Sequence, residues 1–167
     1  MTEPTVTPYP ETPAAVAAAV LDQVEAHPEA FYMGAWVELG AGNYPALLAS
    51  VAPACGTTLC AAGWAAHLTG WHIVVLPDDD PVEDIIVVED DGTESVTRGS
   101  VFAEKDGERR LIGQVAANVL GLTRTQTFWY GDPETALSRL RQIAGRAKDE
   151  HEPDMDAGTG HGAYEYR

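Results

Sequence analysis

The run from Cys55 to Gly70, CGTTLCAAGWAAHLTG, constrains this chain more than any other stretch. It carries no formal charge, and it holds both cysteines, a tryptophan and a histidine. Its spacing predicts a turn that feeds a short helix over residues 59–69, with small residues on every side. A helix with no polar face must be enclosed by other elements, so this one is placed at the centre of the fold. Thr57 and Thr58 are the natural caps for it. Gly56 permits the preceding turn, and Gly63 is the position where a neighbouring backbone can come close. Cys55 and Cys60 then read as small hydrophobes beside Trp64.

The flanking sequence supplies the enclosing elements. Thr12-Pro13 opens a helix as cap and first-position proline, and His27-Pro28 ends it. Pro28 to Val37 reads as a short helix or turn anchored by Phe31, Met33 and Trp36, and Tyr44 to Val51 as another helical turn. After Gly70, the β-branched run Trp71–Leu76 predicts a strand. Asp84–Glu89 and Glu94–Arg98 flank Asp91-Gly92, a two-residue hairpin signal, and Asp106-Gly107 marks a second turn. Leu111–Leu120 has one apolar face, a short helix is expected over Arg124–Tyr130, and Asp132-Pro133 opens the last helix. The expected fold class is therefore α+β. It is a mainly helical single domain over 12–148, with a small antiparallel sheet of three or four strands inserted before a C-terminal helical pair. Residues 1–11 are expected to form a flexible arm, and 149–167 an acidic, Gly-rich disordered tail.

Charge divides the chain. Eight of the ten basic residues lie between Lys105 and Lys148 with only four acids, whereas the remainder holds 22 acids and two arginines. The net charge of −16 argues against binding to an anionic membrane surface, and direct nucleic-acid binding is not expected. Attraction between the two halves, and solubility, account for the asymmetry without any ligand. No apolar run reaches the length of a membrane span, and the first residues lack a basic-then-apolar signal pattern. A cytoplasmic chain with free thiols is the expectation.

No reaction is announced by the residue pattern. Cys55, Cys60, His67 and His72 resemble a zinc set. Seven helical residues, however, put Cys60 and His67 about 10 Å apart along the axis, too far to share an ion at zinc distances. The same separation disfavours a Cys60–His67 nucleophile pair, which leaves a Cys60 thiol enzyme as a minor alternative. Gly-Thr-Thr lacks the glycine pair and lysine of a phosphate loop. The clusters Asp78–Asp80, Glu83-Asp84 and Glu89–Asp91 lack calcium-loop spacing. No metal, cofactor or catalytic residue is assigned.

The combination AHPEAFYM at 26–33, CGTTLCAAGW at 55–64 and ANVLGLT at 117–123 resembles a family of small uncharacterised proteins of actinobacteria, their phages and some other bacteria. The likeness covers roughly residues 14–147. Cys55, Thr57, Thr58, Cys60, Gly63 and Trp64 carry its structural signature. It implies an origin and a fold but no mechanism.

The function expected is that of a non-enzymatic accessory protein, phage or prophage encoded, acting by contact with a protein partner, a host protein among the options. Candidate contact residues are Arg124, Phe128, Trp129 and Tyr130, with Arg139 and Arg141, because aromatics beside arginines suit interface hot spots. Two alternatives stay open. One is an acidic nucleic-acid mimic that occupies a host DNA-binding protein. The other is a helix-turn-helix regulator built from residues 111–130.

Overall fold

A computed structural model describes residues 9–78 and 81–145 of the chain. Helix α1 spans Pro13–Ala26, capped by the Thr12 hydroxyl, which accepts from the Ala15 N–H at 3.1 Å. A single 3-10 turn, Pro28–Ala30, follows. Three two-residue strands come next: β1 (Val37–Glu38), β2 (Ala46–Leu47) and β3 (Thr58–Leu59). Helix α2 is Ala61–Leu68 and β4 is His72–Val75. Then come β5 (Glu83–Val88), β6 (Glu94–Gly99), β7 (Val101–Lys105) and β8 (Glu108–Arg110). Helix α3 (Ile112–Val119), a 3-10 turn at Arg124–Gln126 and helix α4 (Pro133–Ala144) complete the order.

The α+β class stands, but the domain is not mainly helical: the sheet is larger than expected, and its strand β2 comes from before α2, not from the segment ahead of α3. Six strands pair in the order β2-β4-β7-β8-β5-β6, and β1 with β3 forms a separate antiparallel pair. The large sheet is not purely antiparallel, because β5 meets β8 in parallel at Ile86 and Arg110. Its first strand, at 46–47, lies where a helical turn was expected. Two paired residues are too few to show a period of two, so only the contact with β4 makes this segment a strand. The β5–β6 hairpin turns at the expected place, but its loop is the three residues 90–92, closed by the Glu89 N–H on the Thr93 carbonyl, and not the two-residue loop predicted. At Asp106-Gly107 both residues have positive φ, 52° and 83°, the geometry that a tight two-residue hairpin loop demands.

One register row crosses the whole sheet: Leu47, Ile73, Ala103, Arg110, Ile86 and Val96 are successive partners. Leu47, Ile73 and Ala103 are fully buried in the main core, which also takes in α1, α2, α3 and α4. Further along the row cover thins, until Val96 is 64% exposed. The helical layer therefore covers β2, β4 and β7 and runs out beyond β8. On the opposite face Val74, Ile85 and Phe102 make a smaller cluster closed by Ala46, Leu76 and Leu111.

Helix α2 sits at the centre, as its composition requires, with every residue from Ala61 to His67 buried. Gly63 explains how this is possible. A Cβ there would lie 2.8 Å from the Trp36 carbonyl oxygen and 3.1 Å from Leu59 Cδ2, so only a bare Cα lets the chain before β1 pass so close. The cap, however, is neither Thr57 nor Thr58. It is Cys60, whose thiol accepts from the Gly63 N–H at 3.4 Å.

The expected domain limits fall partly beyond the description: residues 1–8, and those from 146 on, lie outside the described residues. At the inner end of the proposed arm, the Tyr9 hydroxyl bonds that of Ser50 at 2.6 Å.

Candidate functional site

The short helix expected over Arg124–Tyr130 does not form, although the last helix opens at Asp132-Pro133 as expected. Thr123 and Gln126 close a reciprocal capping box around one 3-10 turn, and the chain then extends through Thr127. There is thus no second helix over 124–130 to enter a DNA groove. The three aromatics that follow part company. Phe128 and Trp129 are each only 6% exposed and belong to the main core, whereas Tyr130 is 88% exposed. Phe128 and Trp129 are therefore packing residues and not contact residues: their rings lie 4.6 Å apart and help to seat α3 and α4. The Tyr130 ring meets the edge of Trp36 at 5.8 Å and 77°.

Two of the basic candidates, Arg124 and Arg139, are tied down locally. Arg124 donates to the Glu89 carboxylate at 2.7 Å, and its backbone N–H donates to Asp90 at 3.2 Å. Arg139 lies 5.4 Å over the Phe128 ring and donates to the Gln126 carbonyl at 3.3 Å. Arg141 is half-buried on the last turn of α4. Arg109 faces Glu83 at 3.2 Å and Glu104 at 4.0 Å, and Arg98 faces Asp84 at 3.4 Å. Arg124, Arg109 and Arg98 thus sit among the acids of β5 and its turn. Exposed pairs of this kind add little stability, about 0–1 kcal/mol each. They do set the local charge pattern.

What the fold does create is a groove of ≈ 860 Å³ between α3 and the end of β5, with Trp36 and Tyr130 at one side. Arg110 and Arg124 also line it, beside Glu89, Asp90 and Glu108. Gln114 ties its two walls together: the side-chain oxygen accepts from the Val88 N–H at 2.9 Å, and the side-chain amide donates to the Val88 carbonyl at 2.5 Å. Those bonds stand in for a strand partner at the end of β5. Arg110 spans the same wall. One of its terminal nitrogens lies 3.3 Å from Glu108, while its buried Nε has no partner. Nothing in the local sequence marks Arg110 or Gln114, because their importance depends on β5 lying alongside β8 and α3.

The signature residues occupy structural positions. Thr57 Oγ1 accepts from the Gly40 N–H at 2.8 Å and donates to Asn43 Oδ1 at 2.7 Å, and the same oxygen of Asn43 takes the Ala54 N–H at 2.7 Å. Asn43, buried and marked by no motif, is thus the pin of the loop before α2. Thr58 lies in β3. Trp64 is 1% exposed, and its indole donates to the Ala30 carbonyl at 3.2 Å. Burial pushes the Cys60 thiol pKa up, with hydrogen bonds from Gly63 and Ala62 opposing, so the group is held as a thiol and not as an activated thiolate. Cys55 is exposed.

A second cleft, of ≈ 590 Å³ and mostly apolar, runs past Tyr9, Cys55, Trp64 and His67. His67 is 4% exposed, and its Nδ1 lacks a hydrogen-bond partner. Among the described residues no three His, Cys, Asp or Glu side chains gather closely enough to hold a metal ion. No helix among them is long and apolar enough to cross a membrane.

Comparison with known proteins returns no matching family model, no matching curated protein and no matching solved structure.

Proposed function

We propose that this chain acts by binding another protein, and that the groove between α3 and β5 receives a basic segment of that partner carrying one large apolar side chain. Tyr130 carries this reading. A tyrosine ring 88% exposed, propped on the edge of Trp36 beside a groove, adds little to the core. It is placed where a partner would bury it, and aromatic anchors of this kind dominate interface energies. The groove volume falls within the range of ligand clefts, roughly 300–1,000 Å³. The net charge of −16 favours a basic partner through long-range attraction.

We propose further, from the resemblance read in the Cys55–Trp64 run alone, a phage or prophage accessory protein working in the cytoplasm. The partner is then a host protein. A DNA-binding protein has the required basic surface, and an acidic mimic of nucleic acid would act in the same way.

The test is capture from a nuclease-treated actinobacterial lysate on immobilised chain, comparing wild type with Tyr130→Ala. The expected result is a basic protein that is retained by the wild type, released as salt rises and lost with Tyr130→Ala. Stability of the variant should stay within about 0.5 kcal/mol of wild type, as for other exposed positions. Failure to retain any protein above background, or equal retention by the variant, would remove the proposal.

A further inference from the structure

The outer strand of the sheet has the pattern of a strand made to meet itself. Strand β6 is the last in the order, and among the described residues none pairs with its other side. Its register with β5 is continuous from Glu83–Gly99 to Val88–Glu94, so no bulge bends it away. Residues 94–98 are all exposed and include no proline. Its charges, Glu94 and Arg98, are of opposite sign and so do not repel a second copy laid antiparallel, and its unpaired N–H and C=O groups are a template for another strand.

The direction of those groups follows from the hairpin. The Glu89 N–H donates to the Thr93 carbonyl at 2.8 Å. Narrow hydrogen-bonded pairs with β5 then fall on Ser95, Thr97 and Gly99, since they alternate along an antiparallel ladder. The backbone groups of Glu94, Val96 and Arg98 therefore point outward.

We infer that β6 pairs antiparallel with β6 of a second copy about a two-fold axis at Val96, joining two six-stranded sheets. In that register Val96 opposes Val96 of the copy, and Glu94 opposes Arg98 of the copy on each side of the axis. All of these are outward-facing positions, so each opposed pair exchanges two backbone hydrogen bonds, six in all. Their side chains share one face. Two opposite-charge cross-strand pairs thus flank an apolar contact, the arrangement that stabilises antiparallel pairs. Val96, 64% exposed, is the end of the row that the helices leave uncovered, and the copy's valine covers it. Arg98 can exchange partners, because its pair with Asp84 is 65% and 70% exposed and its bond to the Val82 carbonyl is long, 3.4 Å, and also exposed, so both contribute little. The isologous pairing closes on itself and leads to a dimer, not a filament.

The test is the mass in solution by multi-angle light scattering and sedimentation, in enough salt to screen repulsion between two chains of −16. A five-residue edge makes a small interface, so the titration runs to about 1 mM. Wild type should pass from one 17.8 kDa chain to twice that mass. Val96→Pro removes the outward N–H of residue 96 without touching the β5 ladder, and should stay at single-chain mass with an unchanged circular-dichroism spectrum. Glu94→Arg should also abolish doubling by opposing two arginines, and Glu94→Arg with Arg98→Glu should restore it. The charge exchange decides the matter even where the proline variant does not fold. Single-chain mass for wild type throughout the titration, doubling that survives Glu94→Arg, or no recovery in the double variant would overturn the inference.

Discussion

Replacing Gly63 with alanine sets two effects against each other inside α2. Alanine is the better helix former by about 1 kcal/mol, which on its own would stabilise the protein. Against that, the new methyl would stand 2.8 Å from the Trp36 carbonyl oxygen and 3.1–3.2 Å from Leu59 side-chain carbons. The oxygen is backbone and cannot rotate aside. It also accepts the Cys60 N–H at 3.3 Å, so displacing it loosens the residue that caps the helix. Overpacking of this kind costs about 2 kcal/mol, and a weakened buried hydrogen bond about 1 kcal/mol more. The cost exceeds the propensity gain, leaving a net loss of about 2 kcal/mol, or a fall in melting temperature of about 4–8 °C for a chain of this size. Gly131 is the control, because a Cβ there meets nothing nearer than 3.5 Å and its φ is not in the left-handed region. Gly131→Ala should stay within about 0.5 kcal/mol of wild type. The measurement is thermal unfolding of both variants by calorimetry. A Gly63→Ala melting temperature equal to or above that of wild type would refute close backbone approach as the reason for glycine at 63.

Two further outcomes follow from the buried groups. One thiol per native chain, that of Cys55, should react quickly with a disulfide reagent, and Cys60, 2% exposed with its pKa raised by burial, should react only after unfolding. Two fast thiols in the native protein would contradict the position of Cys60. Burial pushes the His67 pKa below its ordinary 6.5, with nearby His72 adding to the effect and a hydrogen bond with the Val51 backbone opposing it. The unfolded chain then binds the proton first, so this group's contribution is complete above the unfolded value. It is lost as the pH falls through the window between 6.5 and the lower folded value. Melting temperature should accordingly decline across that window in wild type and less steeply in His67→Gln, and equal slopes would count against the buried, neutral imidazole.

Much of the candidate site could be named from sequence but not sorted. In sequence Tyr130 is one of three equivalent aromatics, and exposure separates it from Phe128 and Trp129. The three are adjacent, in a segment of extended chain and turn, and no periodicity there tells inward from outward. Arg110 and Gln114 gain their place only because β5, β8 and α3 converge. Arg124 looked available for a ligand until the hairpin brought Glu89 and Asp90 to it across more than thirty residues.

The features that the residue order determined by itself are those settled within a few positions along the chain. They include the caps at Thr12 and Asp132, the tight turns at Asp91-Gly92 and Asp106-Gly107, and the enclosure of a helix with no polar face. Each rests on local dihedral preference, on a hydrogen bond within three residues or on composition, and so survives without knowledge of partners. The tertiary structure decided the rest. Strands of two residues exist only through what they pair with, the order β2-β4-β7-β8-β5-β6 joins distant segments, and the helical layer ends where its apolar surface ends. That last boundary leaves Val96 uncovered at the sheet edge, and the turn before α4 leaves Tyr130 exposed on Trp36.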